Sequence, residues 1–343
     1  YIGYNYKHNA KKMQLLIIFF YIIKKLKVQF PKGDFLPYML FGVIIYSMFY
    51  GSIVALITPF KDGEVDFKAL ENLIDFHINN HTDAILVCGT TGESPTLTFE
   101  EHEKVIEHAV NYAKGRIKII AGTGANATHE AIELTTHAKK VGVDACLLVV
   151  PYYNKPTQEG LYQHFKTVAD EVDIPIILYN IPSRTGVEIA PETIYRLVKD
   201  CPNIIGSKES TPNMDRISEL RRLLGENFTI LSGDDSLTLP MMALGAKGVI
   251  SVANNIMPRE VKAMVDYALK GDFQKAREMH YHLFDLFKIL FIETNPIPVK
   301  TACWALGMCE KEFRLPMCPM KPENEKKLLQ VLRSYNLPVV RDE

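Results

Sequence analysis

Lys208 closes the apolar run Ile204-Ile205-Gly206-Ser207. An amine at the end of such a run is drawn out of water, and burial disfavours the charged form of an amine. A neutral amine attacks carbonyls and forms Schiff bases. On position alone, a snorkelling or ion-paired lysine is the competing reading. Tyr179 ends another apolar run, and a phenol beside an amine can shuttle protons, although a buried tyrosine often only packs. Gly89-Thr90-Thr91-Gly92 offers two hydroxyls and several main-chain N–H groups in a tight turn, which suits a carboxylate. It lacks the lysine of a nucleotide-binding loop. Arg184, between Ser183 and Thr185, reads either as a bidentate carboxylate ligand or as a surface ion pair. The adjacent Asp234-Asp235 reads as a helix N-cap rather than a metal site. His280 and His282 are two apart and face different sides of a helix, and the sequence holds no HExxH spacing, so no metal is expected.

Such side chains need a scaffold that gathers them. Eight short apolar runs recur along the chain, at 53–57, 84–87, 117–121, 145–149, 176–179, 204–207, 229–231 and 248–252. They are continuous rather than alternating, which indicates burial on both faces. Amphipathic helical patterns lie between them, for example at 100–113, 129–141, 161–171 and 214–224, and Asp66 is placed to cap a helix before Leu70, Leu73 and Ile74. Eight strand–helix units over about 220 residues fit a (β/α)8 TIM barrel. An open doubly wound sheet is disfavoured, because Thr58-Pro59-Phe60 follows the first run where a glycine fingerprint belongs. After Lys270-Gly271 only helical patterns remain, at 273–291, 298–306 and 323–335. The expected division is an extension over 1–47, a catalytic barrel over 48–271 and a C-terminal α-helical appendage over 272–343. In such a barrel the chemistry sits at the C-terminal ends of the strands, and Lys208, Tyr179, Gly89 to Gly92, Arg184 and Asp234-Asp235 fall there.

Four motifs occur in order on successive strands: Gly89-Thr90-Thr91-Gly92-Glu93-Ser94, Pro151-Tyr152-Tyr153-Asn154-Lys155-Pro156, Tyr179-Asn180-Ile181-Pro182-Ser183-Arg184-Thr185-Gly186 and Gly206-Ser207-Lys208-Glu209. Together with Leu231 to Asp235, Gly248 to Ser251 and Asn295 to Lys300, they resemble the signatures of the dihydrodipicolinate synthase family, within the Schiff-base class I aldolases that include N-acetylneuraminate lyase. The resemblance spans about 48–343. It implies condensation of pyruvate with L-aspartate-4-semialdehyde to 4-hydroxy-tetrahydrodipicolinate, the committed step toward diaminopimelate and lysine, with no metal or organic cofactor. Lys208 would form the Schiff base. Tyr179, Thr90 and Tyr153 would move protons, Tyr153 by crossing a tight-dimer interface. Thr91 would hold the pyruvate carboxylate and Arg184 that of the aldehyde. The carbonyl of Ile250 and the turn at Gly233 would shape the pocket. A related sugar-acid or sialic-acid aldolase is the alternative, against which Arg184 and the Thr90-Thr91 pair weigh. A homotetramer, a dimer of dimers, is the expected assembly. L-lysine is a candidate inhibitor at Ser94, His102, Asn126, Glu130 and Tyr152, although Pro95 and Phe99 remove a polar contact and stiffen that loop.

Composition agrees with a cytoplasmic enzyme. The 343 residues are 47% hydrophobic and 23% charged, with a net charge of −1, so there is no basic surplus for general nucleic-acid binding. Six cysteines without a CxxC pair read as reduced thiols. Residues 1–47 differ. They carry seven lysines, no arginine and one acid, and are rich in Lys, Ile, Tyr, Phe and Asn, the residues of A/T-rich codons. The expectation is a translated upstream stretch outside the fold, with Met48 as the start. A membrane-associating or targeting arm and a removed signal peptide are the alternatives, carried by the apolar run at 13–23. Neither that run nor 39–50 reaches the 18–20 apolar residues of a membrane span.

Overall fold

The computed structural model describes residues 49–342. The expectations for residues 1–47, and Met48 as a start, lie outside the described residues. Among the described residues no helix is long and apolar enough to cross a membrane.

Among the described residues ten strands and twelve α-helices follow one another: β1 (Gly51–Ala55), β2 (Phe60–Lys61), β3 (Glu64–Val65), α1 (Phe67–Asn79), β4 (Ala84–Val87), α2 (Phe99–Ala113), β5 (Lys118–Gly122), α3 (Thr128–Val141), β6 (Ala145–Val149), α4 (Gln158–Glu171), β7 (Ile176–Asn180), α5 (Pro182–Thr185), α6 (Pro191–Asp200), β8 (Ile204–Glu209), α7 (Met214–Leu224), β9 (Thr229–Ser232), α8 (Thr238–Ala243), β10 (Gly248–Ser251), α9 (Pro258–Leu269), α10 (Phe273–Ile289), α11 (Ile297–Ala305) and α12 (Pro322–Ser334). Eight of the strands close a parallel barrel in the order β1-β10-β9-β8-β7-β6-β5-β4, and β2 and β3 form a small separate hairpin. The expected (β/α)8 barrel with C-terminal helices is therefore the fold. The strand expected at 53–57 sits two residues earlier. Ile57 has left the sheet, and its N–H donates to the side chain of Asn255 at 3.2 Å. Asp66 caps α1 as expected, accepting from the N–H of Ala69 at 2.9 Å.

The continuous apolar runs are explained by two cores. Inward-facing residues such as Ile53, Leu86, Ile120, Leu147, Ile177, Leu231 and Ile250 fill the barrel. Their neighbours, such as Val54, Ile85, Ile119, Leu148, Leu178 and Ile230, face the helices. Alternate residues thus meet two different surfaces, both mainly apolar. The outer cluster continues through Leu283, Leu286, Val299, Ala302, Leu328 and Leu332 of α10, α11 and α12. All six cysteines are free, and five are buried.

Several buried ionisable groups load this core. His77 is fully buried, with its Nδ1 at 3.0 Å from the Thr82 hydroxyl, and burial pushes it down to about 3. Burial also pushes His102 and His164 down to about 4. Asp235 runs the other way, pushed up to about 6 by burial. Below the ordinary histidine value of about 6.5 the unfolded chain takes protons that the folded histidines refuse, so stability falls as pH falls. Asp235 opposes this between about 6 and 3.8, where the folded form is the one that holds the extra proton. Three histidines outweigh one carboxyl, so denaturant midpoints measured at pH 7 and pH 5 are expected to drop with acid. Each unmatched proton contributes roughly 1.4 kcal/mol per pH unit. A His77→Gln protein should lose less over the same interval, and an unchanged slope would show that His77 does not contribute.

Candidate functional site

The C-terminal ends of the strands gather the site. Tyr179 on β7 pairs in register with Lys208 on β8. Both are 5% exposed, and the Lys208 amine lies 4.1 Å from the centroid of the Tyr179 ring. Among the described residues that amine makes no ion pair and no hydrogen bond to protein. The ion-paired reading of Lys208 is therefore set aside. An ammonium over an aromatic face is attracted by the ring quadrupole without being tied to a carboxylate.

Lys208 faces inward only because β8 is irregular. Ile176 pairs with Ile204, but the next residue, Ile177, pairs with Gly206, so Ile205 is an extra residue on β8. Such a bulge reverses the alternation of side chains beyond it. Ile204 faces the helices and Ile205 the barrel. Without the extra residue the next inward positions would be Ser207 and Glu209. With it, Lys208 turns into the barrel beside Tyr179. Gly206 is required where β8 crowds β9, since a Cβ there would stand 2.6 Å from the Thr229 carbonyl oxygen.

The outward neighbours of Lys208 form a buried polar network that the sequence reading missed. Glu209 is fully buried and accepts from Arg216 Nε on α7 at 2.8 Å, from Asn180 Nδ2 at 3.0 Å and from the Ser207 hydroxyl at 2.8 Å. Ser207 and Glu209 flank Lys208, and Asn180 follows Tyr179. The network therefore ties β7, β8 and α7 together on the far side of the Lys208–Tyr179 pair. A charge next to the lysine was visible in the sequence, but its partner Arg216 was not.

The turn after β4 is held from three directions. The Thr58 hydroxyl donates to the Gly92 carbonyl at 2.6 Å. Asn295 Nδ2, just before α11, donates to Thr91 Oγ1 at 3.0 Å. Lys300 on α11 meets Glu93 at 2.6 Å, with both side chains essentially inaccessible. Burial pushes the Lys300 amine down, while Glu93 opposes the shift. Cys88 and Glu93, at the two ends of the turn, both take φ of +53°. Among the described residues the N–H groups of Thr90, Thr91 and Gly92 donate to no backbone carbonyl. They remain available to an anion.

Arg184 follows β7 on α5, and its Nη2 donates to the Asn295 main-chain carbonyl at 2.9 Å. Among the described residues it forms no ion pair. Gly233 follows β9, and a Cβ built on it would run into Ser210 Oγ and the Lys208 side chain, so a larger residue here would displace the lysine. Ile250 is buried inside the barrel on β10. Asp234 caps a short 3-10 turn through the Ser236 N–H, and Asp235 accepts from the N–H groups of Val252 and Ala253.

A cavity of about 370 Å³ opens at this end of the barrel. Thr90, Tyr179 and Arg184 line it, and so do Ser94, His102, Glu130 and Tyr152. Burial and the neighbouring Glu130 carboxylate raise the Tyr152 phenol. Asn126 is tied in by Nδ2 donating to the Tyr152 carbonyl at 3.3 Å. Tyr153 does not join the cavity lining; it is 89% exposed at a φ of +72°. Within one chain Tyr179, Thr90 and Arg184 share this cavity and Lys208 stacks on Tyr179, but Lys208 itself, Thr91, Asn126, Gly233 and Ile250 do not line it, and Tyr153 stays outside.

The Dihydrodipicolinate synthetase family model matches residues 48–335. A protein of Aquifex aeolicus (strain VF5) named 4-hydroxy-tetrahydrodipicolinate synthase is 76% identical over 292 residues, which is 85% of this chain and 99% of that protein. The crystal structure of dihydrodipicolinate synthase from Aquifex aeolicus superposes with a TM-score of 0.85 at 75% identity, covering 85% of this chain and all of that one. The pyruvate complex of the chloride-inhibited Acinetobacter baumannii enzyme matches with a TM-score of 0.82 at 47% identity over 84% of this chain and 99% of that chain. A Cyanidioschyzon merolae structure with lysine bound matches with a TM-score of 0.82 at 41% identity over the same shares.

The bulge gives a direct test of how the pair is aimed. In Gly206→Ala, β8 must move away from Thr229, and Lys208 moves with it. Borohydride trapping of a carbonyl ligand on Lys208 should fall by roughly tenfold or more, with a stability loss of about 1–3 kcal/mol. Undiminished trapping in a folded variant would show that the close approach at Gly206 does not set the lysine.

Proposed function

Because the chain belongs to the dihydrodipicolinate synthetase family, we infer that it is a lyase that condenses pyruvate with L-aspartate-4-semialdehyde to give 4-hydroxy-tetrahydrodipicolinate. This is the committed step of diaminopimelate and lysine biosynthesis. The relatives' names favour this reaction over the sialic-acid or sugar-acid aldolase alternative. The observation that carries the reading in this chain is the buried, unpaired Lys208 amine against Tyr179.

The proposed roles follow from residue chemistry. The Lys208 amine adds to the pyruvate ketone, and loss of water leaves an iminium. The iminium makes the pyruvate methyl acidic, so a proton leaves and an enamine forms. The enamine carbon attacks the aldehyde, whose oxygen takes up a proton. The aldehyde's own amine then displaces Lys208 as the ring closes. Tyr179 and Thr90 would carry the protons, with Tyr153 of one subunit completing the relay in its neighbour; its 89% exposure in a single chain suits that role. Thr91 and the free N–H groups of its turn would hold the pyruvate carboxylate, and Arg184 the aldehyde's carboxylate. Gly233 and the Ile250 carbonyl would bound the pocket. These steps need no metal or organic cofactor.

The assembly we propose is a homotetramer made of two tight dimers, working in the cytoplasm. The same reading divides the chain into an extension over 1–47, a barrel over 48–271 and a helical appendage over 272–343, the last two sharing one apolar cluster. L-lysine is proposed as an inhibitor at Ser94, His102, Asn126, Glu130 and Tyr152. Glu130 would meet its ammonium, while Asn126 and Tyr152 would hold its carboxylate. A relative has been solved with lysine bound, and four of these five side chains line the cavity that also holds Tyr179 and Arg184.

Two measurements test this reading. Lys208→Ala should abolish the borohydride-trapped pyruvate adduct and lower turnover by several orders of magnitude; an adduct that persists would place the nucleophile elsewhere. Titration of L-lysine into a coupled assay should reduce activity, with a coupling of about 1–3 kcal/mol. Glu130→Ala should remove that inhibition and leave pyruvate trapping intact. Flat activity up to tens of millimolar lysine, roughly the weak limit for such couplings, would reject the regulatory site.

A further inference from the structure

Asn295 touches the ligands proposed for both substrates, and it does so with two different groups. Its side chain donates from Nδ2 to Thr91 Oγ1 at 3.0 Å. Its main-chain carbonyl accepts from Arg184 Nη2 at 2.9 Å. The residue is 5% exposed, and its Oδ1 is buried without a partner.

A hydroxyl has one proton to give and two lone pairs to offer. By accepting from Asn295, the Thr91 hydroxyl keeps its proton for another acceptor. Among the described residues that proton goes to no protein group. The same turn leaves the N–H groups of Thr90, Thr91 and Gly92 without a backbone acceptor. One side chain from outside the barrel thus sets the polarity of Thr91, making it a donor like the N–H groups beside it. The Arg184 anchor works differently. A backbone carbonyl is present whatever the side chain at 295, so that anchor depends only on where the segment before α11 runs. The Lys300–Glu93 pair, five residues further along, pins that segment to the same turn.

We propose that Asn295 is a positioning residue that presets the Thr91 hydroxyl as a hydrogen-bond donor to the pyruvate carboxylate while its backbone carbonyl holds Arg184 for the aldehyde. The side chain therefore acts on pyruvate alone. This rests on the assignment of Thr91 and Arg184 given above.

The decisive variant is Asn295→Asp. A carboxylate can only accept, so it reverses the bond, draws the Thr91 proton to itself and adds a negative charge beside the incoming carboxylate. The pyruvate KM should rise about tenfold or more. The aldehyde KM should stay within about twofold, and trapping at saturating pyruvate should still reach completion. Asn295→Ala, which removes the donor without adding charge, should give a smaller rise in the same parameter, and it carries the test if the Asp variant does not fold. Thr91→Val separates the two levels of the argument. It should raise the pyruvate KM by itself, and Asn295→Ala added to it should have no further effect. If Thr91→Val leaves the pyruvate KM unchanged, the assignment of Thr91 fails. If Thr91→Val raises it but the Asn295 variants do not, or if they raise both KM values equally, the positioning role of Asn295 is overturned.

Discussion

The extra residue in β8 is the constraint on which the site depends. A parallel barrel assigns each strand position to one of two faces, and the assignment alternates without exception until a bulge intervenes. Ile205 is that bulge. Beyond it the inward positions are Gly206 and Lys208, and the outward ones are Ser207 and Glu209. A regular strand would have sent the lysine among the helices and the carboxylate into the pocket. The bulged strand places an amine over a tyrosine ring inside and a carboxylate on an arginine outside. The outer pair is fully desolvated and hydrogen-bonded on both oxygens, the condition under which a buried carboxylate is tolerated. The two faces therefore fix each other, because either reversed would leave an uncompensated charge in an apolar layer.

The C-terminal helices extend this logic to the turn after β4. Turns at the tops of barrel strands are open to solvent and have few neighbours to define them. Here the turn at 89–93 is held by Thr58 from the β1 side and by Asn295 and Lys300 from α11 and the segment before it. The Lys300–Glu93 pair is buried, and the Lys300 amine also lies 3.9 Å from the Phe60 ring centroid. Removing one partner of such a pair typically costs about 3–5 kcal/mol, because the other is left charged in an apolar setting. The helical appendage is thus part of the site's scaffold. Its apolar residues join the cluster that coats the barrel, and its two polar side chains set the geometry of the turn.

One cavity connects the strand ends at Thr90 and Tyr179 with the surface around Ser94, His102, Glu130 and Tyr152. His102 is held neutral by burial, so the fixed charge of this part of the lining is the Glu130 carboxylate, which suits a cationic ligand. Tyr152 and Tyr153 occupy one turn, yet only the first lines the cavity, so the chain presents its second tyrosine outward.

The sequence by itself determined the fold class and most of the chemistry. Burial on both faces forces near-continuous apolar strands, so eight such runs were legible without coordinates, and their ends named Lys208, Tyr179, Thr90, Thr91 and Arg184 as neighbours. Asp66 was readable as a cap because capping is local. Tertiary structure alone decided what depends on contacts distant in sequence. The bulge at Ile205 leaves one signal in the sequence, Gly206, since a glycine inside a strand often marks a bulge, but that signal does not say which residue is extra, and this decides which way Lys208 points. The partners of Glu93, Thr91 and Arg184 lie over 100 residues away in the chain, and no spacing rule reaches that far. An arginine after a strand reads equally as an ion pair or a ligand until the carbonyl it meets is known. Residue types could state which chemistry was available; only the closing of the barrel, which brings distant segments within 3 Å of each other, decided which groups are consumed by the protein and which are left free for substrate.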